Sequence, residues 1–153
     1  MDYAILRTPI GYVKIIEDLG YITQLSYVGK QAEEVLPSSN VLKMAQKQLN
    51  DYFDGHLKVF SLPLRLDVPQ YRKQVLRELM KVPFGSTITY KELAQRTGNP
   101  NAARAVGSAM SSNPIAIIVP CHRVLPSDGK IGNYSAGGSA NKEWLLCHEK
   151  QNL

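Results

Sequence analysis

The first 30 positions contain short stretches rich in apolar, aromatic and β-branched residues, bounded by turn residues, which is typical of strands. Three such stretches cover residues 3–6, 12–16 and 21–28. A Thr-Pro-Ile-Gly sequence at 8–11 separates the first two, and Gly20 interrupts the chain before the third. Because strands joined by short turns pair with their neighbours, the chain is predicted to begin as an antiparallel meander.

The period changes to that of a helix after residue 40. One face of the predicted helix carries Val41, Leu42, Ala45, Leu49, Tyr52 and Phe53, and the pattern ends at Gly55. An extended piece with alternating apolar residues follows at 60–64. We place a domain boundary in the segment 63–69, which predicts two domains, residues 1–65 and 66–153.

Helical spacing returns at the start of the second domain. Its apolar positions are Tyr71, Val75, Leu76, Leu79 and Met80, and the pattern ends at the Pro-Phe-Gly sequence 83–85. Thr89 and Glu92 have the spacing of a capping box. A short helix is therefore predicted from residue 90 to about residue 97, ending at Gly98.

A further helix is predicted directly afterwards. Asn99 can cap it, with Pro100 at its first position and residues 102–111 as its body. Two short helices joined by a tight turn form a helix-turn-helix, which occurs in DNA-binding proteins and in proteins that never contact DNA. The second helix is built of small residues around a lone Arg104, which suits either close approach to a minor groove or tight packing in a core.

The net charge of +5 is confined to the second domain. Residues 1–65 contain seven basic and seven acidic side chains, whereas residues 66–153 contain eleven basic and six acidic ones. A basic face can attract a nucleic acid backbone, and an excess of this size is equally typical of a solvated surface. No apolar window is long enough for a membrane span, and the two cysteines are too few for a disulfide scaffold. We expect a cytoplasmic protein with free thiols, no metal site and no cofactor.

The candidate chemistry lies at Cys121. An apolar run at 115–119 leads into it, so the thiol is expected to be sheltered, and a buried thiol needs a base or a positive partner to react. His122 is adjacent in sequence, although a histidine beside a cysteine is more often structural than catalytic. Glu149, on a predicted helix with Trp144, could orient this histidine if that helix packs against the Cys121 loop.

Together these residues resemble the O6-alkylguanine-DNA alkyltransferases, a family of DNA-repair proteins. The resemblance covers about half of the chain as an ordered set of motifs. They are Gly98-Asn99-Pro100, Ala102-Ala103-Arg104-Ala105-Val106-Gly107, Asn113-Pro114, Ile118-Val119-Pro120-Cys121-His122-Arg123-Val124, Gly132-Asn133-Tyr134-Ser135 and Lys142-Glu143-Trp144-Leu145-Leu146. The resemblance implies an α+β fold: a small N-terminal ribonuclease H-like α/β domain with an antiparallel sheet, and a mostly helical C-terminal winged-helix or helix-turn-helix domain.

The resemblance also implies a reaction, in which Cys121 accepts the alkyl group from O6 of guanine once and irreversibly. His122 would be the base, acting through a bound water and oriented by Glu149. Asn113 would brace the turn before the cysteine. Some relatives carry an N-terminal zinc site or a cysteine-rich fused domain, and with two cysteines this chain can have neither.

Further residues would bind the substrate. Tyr90 and Lys142 would help to protonate the departing guanine, and Ser135 would donate a hydrogen bond to O6. The pocket would be lined by Met110, the Val124 backbone and Tyr134, and the DNA contacts would come from Tyr90, Ala102 and Arg104. The partner is expected to be double-stranded DNA carrying O6-alkylguanine, with O4-alkylthymine as a possible second substrate, bound by a monomer through the minor groove after the nucleotide is flipped out.

Two other functions remain open from the residues alone. A non-catalytic module that recognises alkylated bases would lack the acceptor cysteine, and Cys121 is present. A cysteine hydrolase using Cys121, His122 and Glu149 would need an oxyanion hole and would turn over many times.

Overall fold

The computed structural model describes residues 1–99 and 102–153. Its N-terminal part is built on an antiparallel sheet. Its strands are β1 (Asp2–Thr8), β2 (Gly11–Asp18) and β3 (Tyr21–Gly29), in the spatial order β1-β2-β3. The predicted meander is thus confirmed. Ala4 pairs with Ile15, and Ile15 pairs with Leu25, so that one face of the sheet carries buried apolar side chains.

Helices account for most of the remaining regular secondary structure in the described residues. They are α1 (Asn40–Phe53), α2 (Gln70–Leu79), α3 (Tyr90–Arg96), α4 (Ala103–Ser111) and α5 (Ser139–Gln151). Two short strands, β4 (Ile88–Thr89) and β5 (Val124–Leu125), pair in parallel, and a 3-10 turn spans Cys121–Arg123. The α+β class, with a small N-terminal antiparallel sheet and C-terminal helices, is confirmed.

The capping box predicted for α3 is present. The Thr89 hydroxyl accepts a hydrogen bond from Glu92 N at 3.0 Å, and the Glu92 carboxylate accepts one from Thr89 N at 3.1 Å. Each end of the pair satisfies a backbone N–H that the first turn of a helix leaves free. The predicted start of α3 therefore follows from local chemistry alone.

The predicted start of α4 is wrong. The helix begins at Ala103 with Ala102 as its N-cap residue, not with Asn99 as the cap. Asn99 N donates to Ala94 O at 3.2 Å beyond Gly98, whose φ is +83°. The N–H of Asn99 thus closes the end of α3, while its C=O accepts from Ala102 N at 3.1 Å, so the backbone of Asn99 lies in the turn between the two helices. Pro100, predicted at the first helical position, lies outside the described residues.

The two parts of the chain share a hydrophobic core, and one contact in it matters for the site. Leu25 N, in β3, donates to Pro114 O at 2.9 Å, and Ala116 N donates to Leu25 O at 3.1 Å. The segment 115–119 is wholly buried, as expected. It is thus anchored on the sheet edge directly before Cys121. In the described part of the chain, no helix combines the length and apolar character needed to cross a membrane.

Candidate active site

Cys121 lies at the start of the 3-10 turn and borders a cavity. Its N–H donates to Val119 O at 2.8 Å, which turns the chain sharply after the buried segment. Only 4% of the residue is exposed. The cavity has a volume of about 640 Å³, which lies within the range of small-molecule pockets. Its walls are Tyr90, Ala103, Gly107, Met110, Ser111, Cys121, Pro126, Gly132, Asn133, Tyr134 and Ser135.

The structure therefore brings Tyr90, Met110, Tyr134 and Ser135 together around the thiol, four of the residues singled out from the sequence. The three remaining candidates for substrate contact lie outside the cavity wall. Ala102 is half-buried at the N-cap of α4, Arg104 is exposed on α4, and Val124 is buried in β5. Arg104 follows Ala103, a residue of the cavity wall, along α4.

Asn113 braces the turn that leads to the cysteine. Its side-chain amide donates to Val119 O at 2.9 Å, and its carbonyl accepts from Ile115 N at 3.1 Å. Both hydrogen bonds are buried, so each also satisfies a backbone group that would otherwise be costly to bury. Asn113 thereby ties the end of the segment that follows α4 to the residue two positions before Cys121.

His122 points away from the cavity and towards α5. Its Nε2 lies 2.6 Å from Glu149 Oε2, and both side chains are essentially inaccessible to solvent. Because a carboxylate only accepts hydrogen bonds, Nε2 carries the proton of the neutral imidazole and Nδ1 is left as an acceptor. Nδ1 is buried and makes no hydrogen bond within residues 1–99 and 102–153. The ring is thus prepared to accept a proton at Nδ1.

Glu149 receives hydrogen bonds from residues that the sequence analysis did not assign to the site. Arg123 donates from Nε to Oε1 at 2.8 Å and from Nη2 to Oε2 at 3.1 Å. The Tyr52 hydroxyl donates to Oε2 at 2.6 Å, and Gly85 N donates to Oε1 at 3.1 Å. Arg123 belongs to the quoted Pro-Cys-His-Arg motif, which was the available signal for it. No sequence signal pointed to a role for Tyr52, because its position on the apolar face of α1 indicates only a core residue.

The electrostatics of the site follow from burial and these contacts. Burial raises the pKa of the Cys121 thiol, while hydrogen bonding by Asn113 and the positive charge of Lys142 act against that rise. Burial lowers the pKa of His122 despite the carboxylate beside it. Burial alone would raise the pKa of Glu149, but the hydrogen bonds from His122 and Arg123 outweigh it and hold that pKa far below its usual value. The resting site therefore contains a neutral thiol, a neutral imidazole and a carboxylate paired with arginine.

Lys142, in the first turns of α5, is also buried near the cavity. Its Nζ donates to Asn133 O at 3.3 Å and lies 6.0 Å from the centre of the Tyr90 ring. Burial lowers the pKa of Lys142. The pKa of Tyr90 is raised, mainly by burial and to a smaller extent by the charge of the nearby Cys121 thiolate. An ammonium group with a lowered pKa is a better proton donor than an exposed lysine.

This arrangement is suited to nucleophilic chemistry by sulfur. A thiol borders a cavity that can hold a flat molecule, a histidine oriented by a carboxylate stands behind it, and a lysine lies beside the cavity. Among the described residues, no group of three or more His, Cys, Asp or Glu side chains could hold a metal ion.

The chain is similar to proteins of known family along its whole length. Residues 1–66 match the family described as 6-O-methylguanine DNA methyltransferase, ribonuclease-like domain, and residues 70–151 match the corresponding DNA binding domain. The methylated-DNA--protein-cysteine methyltransferase of Methanosarcina barkeri is 40% identical over 158 residues, which cover 100% of this chain and 99% of the relative.

Solved structures agree with this similarity. The O6-methylguanine methyltransferase of Mycobacterium tuberculosis superposes with a TM-score of 0.88 at 37% identity, covering 99% of this chain and 93% of that one. The same mycobacterial protein in complex with DNA superposes with a TM-score of 0.87 at 38% identity, covering 98% and 93%.

Proposed function

Because the chain belongs to the 6-O-methylguanine DNA methyltransferase family, it repairs DNA by direct transfer of an alkyl group to a cysteine, and we propose that Cys121 is that cysteine. One observation carries the assignment: of the two cysteines, Cys121 borders the cavity and has the His122–Glu149 pair behind it. Cys147 is exposed on α5. The protein is thus a methylated-DNA–protein-cysteine methyltransferase that is consumed by its own reaction.

The transfer is a single displacement. The thiol proton passes to His122 Nδ1 through a water, and Sγ attacks the alkyl carbon on O6 of guanine. An S–C bond forms as the C–O bond breaks, and the electron pair of that bond stays on O6. Guanine leaves as an anion, which takes a proton from Lys142 or Tyr90 at the cavity wall. The product is a thioether, and nothing in the mechanism regenerates the thiol, so each molecule acts once.

The substrate has to leave the duplex to reach the sulfur. The cavity volume of about 640 Å³ is sufficient for a flipped nucleobase, and flipping costs roughly a few kcal/mol, less for a base that pairs poorly. Ser135 then donates to O6, and Met110 and Tyr134 line the pocket. α4 and its N-cap residue Ala102 enter the minor groove with their small side chains, while Arg104 takes the place of the extruded nucleotide.

Two further proposals concern organisation. We propose two domains, residues 1–65 and 66–153, which is supported by two separate family matches that meet between residues 66 and 70. We also place the protein in the cytoplasm, because both cysteines are free thiols and a reducing compartment preserves the acceptor.

Intact-mass spectrometry tests the transfer. The protein is mixed with a duplex carrying one O6-methylguanine, and Cys121→Ser and Cys147→Ser are treated in parallel. We expect a gain of about 14 Da that stops at one equivalent, maps to Cys121, and persists in Cys147→Ser but not in Cys121→Ser. Tight binding without a mass gain would instead favour damage recognition, and repeated turnover without a mass gain would favour a hydrolase.

A further inference from the structure

A side chain of the N-terminal half of the chain, Tyr52, contacts the carboxylate of the candidate active site. Tyr52, in α1, donates its phenol proton to Glu149 Oε2 at 2.6 Å, across 97 positions of sequence. Tyr52 is fully buried. The oxygen that it contacts is the same one that receives the proton of His122 Nε2, also at 2.6 Å. Tyr52 and His122 therefore share one acceptor atom.

The position of this hydroxyl is determined by the packing of its ring. The Tyr52 ring lies 5.2 Å from that of Phe53, 5.4 Å from Phe60 and 5.9 Å from Phe84, measured between centroids. His148, on α5, donates from Nε2 to Tyr52 O at 2.7 Å. Because the ring and the backbone are both held, the hydroxyl has little freedom to follow a carboxylate that moves.

We propose that Tyr52 is a positioning residue for alkyl transfer: its phenol fixes Glu149 Oε2 and limits how strongly that oxygen stabilises a proton on His122. The proposal rests on the proposed function, because it concerns the same base. Tyr52 touches neither the cavity nor the sulfur, so it acts only through Glu149. The N-terminal half thereby influences the reaction through the carboxylate that orients His122.

The physical argument concerns competition for one oxygen. Each donor to Oε2 withdraws electron density from it and weakens its support for an imidazolium. Removing the phenol leaves Oε2 with His122 and the more distant Arg123 Nη2. The oxygen then becomes a stronger acceptor for His122, so the pKa of His122 rises. Since His122 must be neutral to accept the thiol proton, transfer at acid pH is lost first.

The other charged and titratable groups around the pair stay in place when Tyr52 becomes Phe. Arg123 and Lys142 both oppose a positive charge on His122. Cys121 and Tyr134 complete the groups that face the site from the 3-10 turn and from the cavity wall, and His148 faces the Tyr52 ring from α5. A change in pH dependence in this variant therefore reports on the phenol oxygen alone.

The test is the pH profile of single-turnover transfer, measured from about pH 5 to about pH 9 for the wild type, Tyr52→Phe and Phe60→Leu. Phe60→Leu is the matched control, because Phe60 packs on the Tyr52 ring but has no hydrogen bond to Glu149. We expect the acid limb of Tyr52→Phe to move to higher pH, with the rate on that limb reduced about threefold or more relative to its plateau. Phe60→Leu should lose stability and keep the wild-type limb.

A second readout does not depend on activity. The ring nitrogens of His122 are followed by NMR as a function of pH in the full-length protein without DNA, and in Tyr52→Phe they should titrate at higher pH than in the wild type. Superimposable profiles or titrations would overturn the proposal, and so would a Tyr52→Phe protein that does not fold, since the hydroxyl would then serve stability. Failure of the wild type to alkylate Cys121 would instead refute the proposed function.

Discussion

The Arg123 guanidinium contacts both oxygens of the Glu149 carboxylate, with distances of 2.8 and 3.1 Å, and its side chain is almost as buried as that of its partner. A buried carboxylate without a compensating cation would draw a proton onto His122. Because Arg123 supplies the positive charge, His122 can remain neutral beside Glu149. The adjacent residues of the Pro-Cys-His-Arg motif thus both contact Glu149: His122 is the proposed base, and Arg123 is the counter-ion of the carboxylate.

Replacing Glu149 with Gln should therefore destabilise the protein and slow transfer. The substitution leaves the guanidinium of Arg123 buried without its carboxylate, which typically costs about 3–5 kcal/mol in the free energy of unfolding. Urea unfolding measures the stability, and single-turnover transfer measures the rate. Glu143→Gln, at an exposed position of the same helix, is the control and should change neither. Equal stability of the two variants would contradict the role given to the pair.

Acid should remove this stabilisation in a defined range. Burial acts to raise the pKa of Glu149, but the hydrogen bonds and charges of His122 and Arg123 lower it by more. The net shift of this pKa in the folded state is therefore downward. A group with a depressed folded pKa contributes fully above its unfolded pKa, about 4.3, and loses that contribution as the pH falls below it. Urea unfolding at a series of pH values should show the stability difference between wild type and Glu149→Gln shrinking below that point. A difference that stays constant to lower pH would be the contrary result.

Two neighbouring glycines just before α5 offer a matched pair. Gly137 and Gly138 both have positive φ, +100° and +86°. A Cβ at Gly137 would collide with the Asn141 side chain, whose amide donates to Ala136 O at 3.0 Å, whereas a Cβ at Gly138 would meet nothing within 4 Å. Gly138, with a ψ of −178°, occupies a backbone region that is essentially restricted to glycine, so Gly138→Ala should cost about 1–3 kcal/mol through strain and Gly137→Ala clearly more. Thermal and urea unfolding of both variants would decide, and equal costs would count against the collision.

Arg104→Ala should separate DNA handling from chemistry. Arg104 is exposed on α4, so its removal should leave the unfolding free energy unchanged. Loss of the side chain that we propose replaces the flipped nucleotide should weaken transfer from a duplex, by up to roughly the few kcal/mol that flipping costs. Transfer from the free base O6-methylguanine, which needs no flipping, should be unaffected. Arg77→Ala, exposed on α2, is the control, and an equal loss with duplex and free base would argue against the wedge.

Local features of the fold were determined by the sequence. Strand-like apolar stretches bounded by turn residues located the three strands, and the Thr89–Glu92 spacing located α3, because both signals act between residues close in sequence. The prediction that Asn99 caps α4 is wrong, because α4 begins at Ala103 with Ala102 as its N-cap residue. The Asn99 side chain suits a helix start, but its backbone lies in the turn between the helices, where its N–H donates to Ala94 O and its C=O accepts from Ala102 N.

The candidate site was likewise predictable from the sequence only in part. Cys121 and His122, adjacent in sequence, could be identified as a candidate nucleophile and base, and Glu149 as a candidate carboxylate partner. These three roles are recognisable by residue type. That Tyr52 shares the carboxylate could not be read from the chain, since its spacing on α1 is that of a core residue. Only the packing of α1 against α5 brings residues 97 positions apart within 2.6 Å, and such a contact depends on the whole core and not on local sequence.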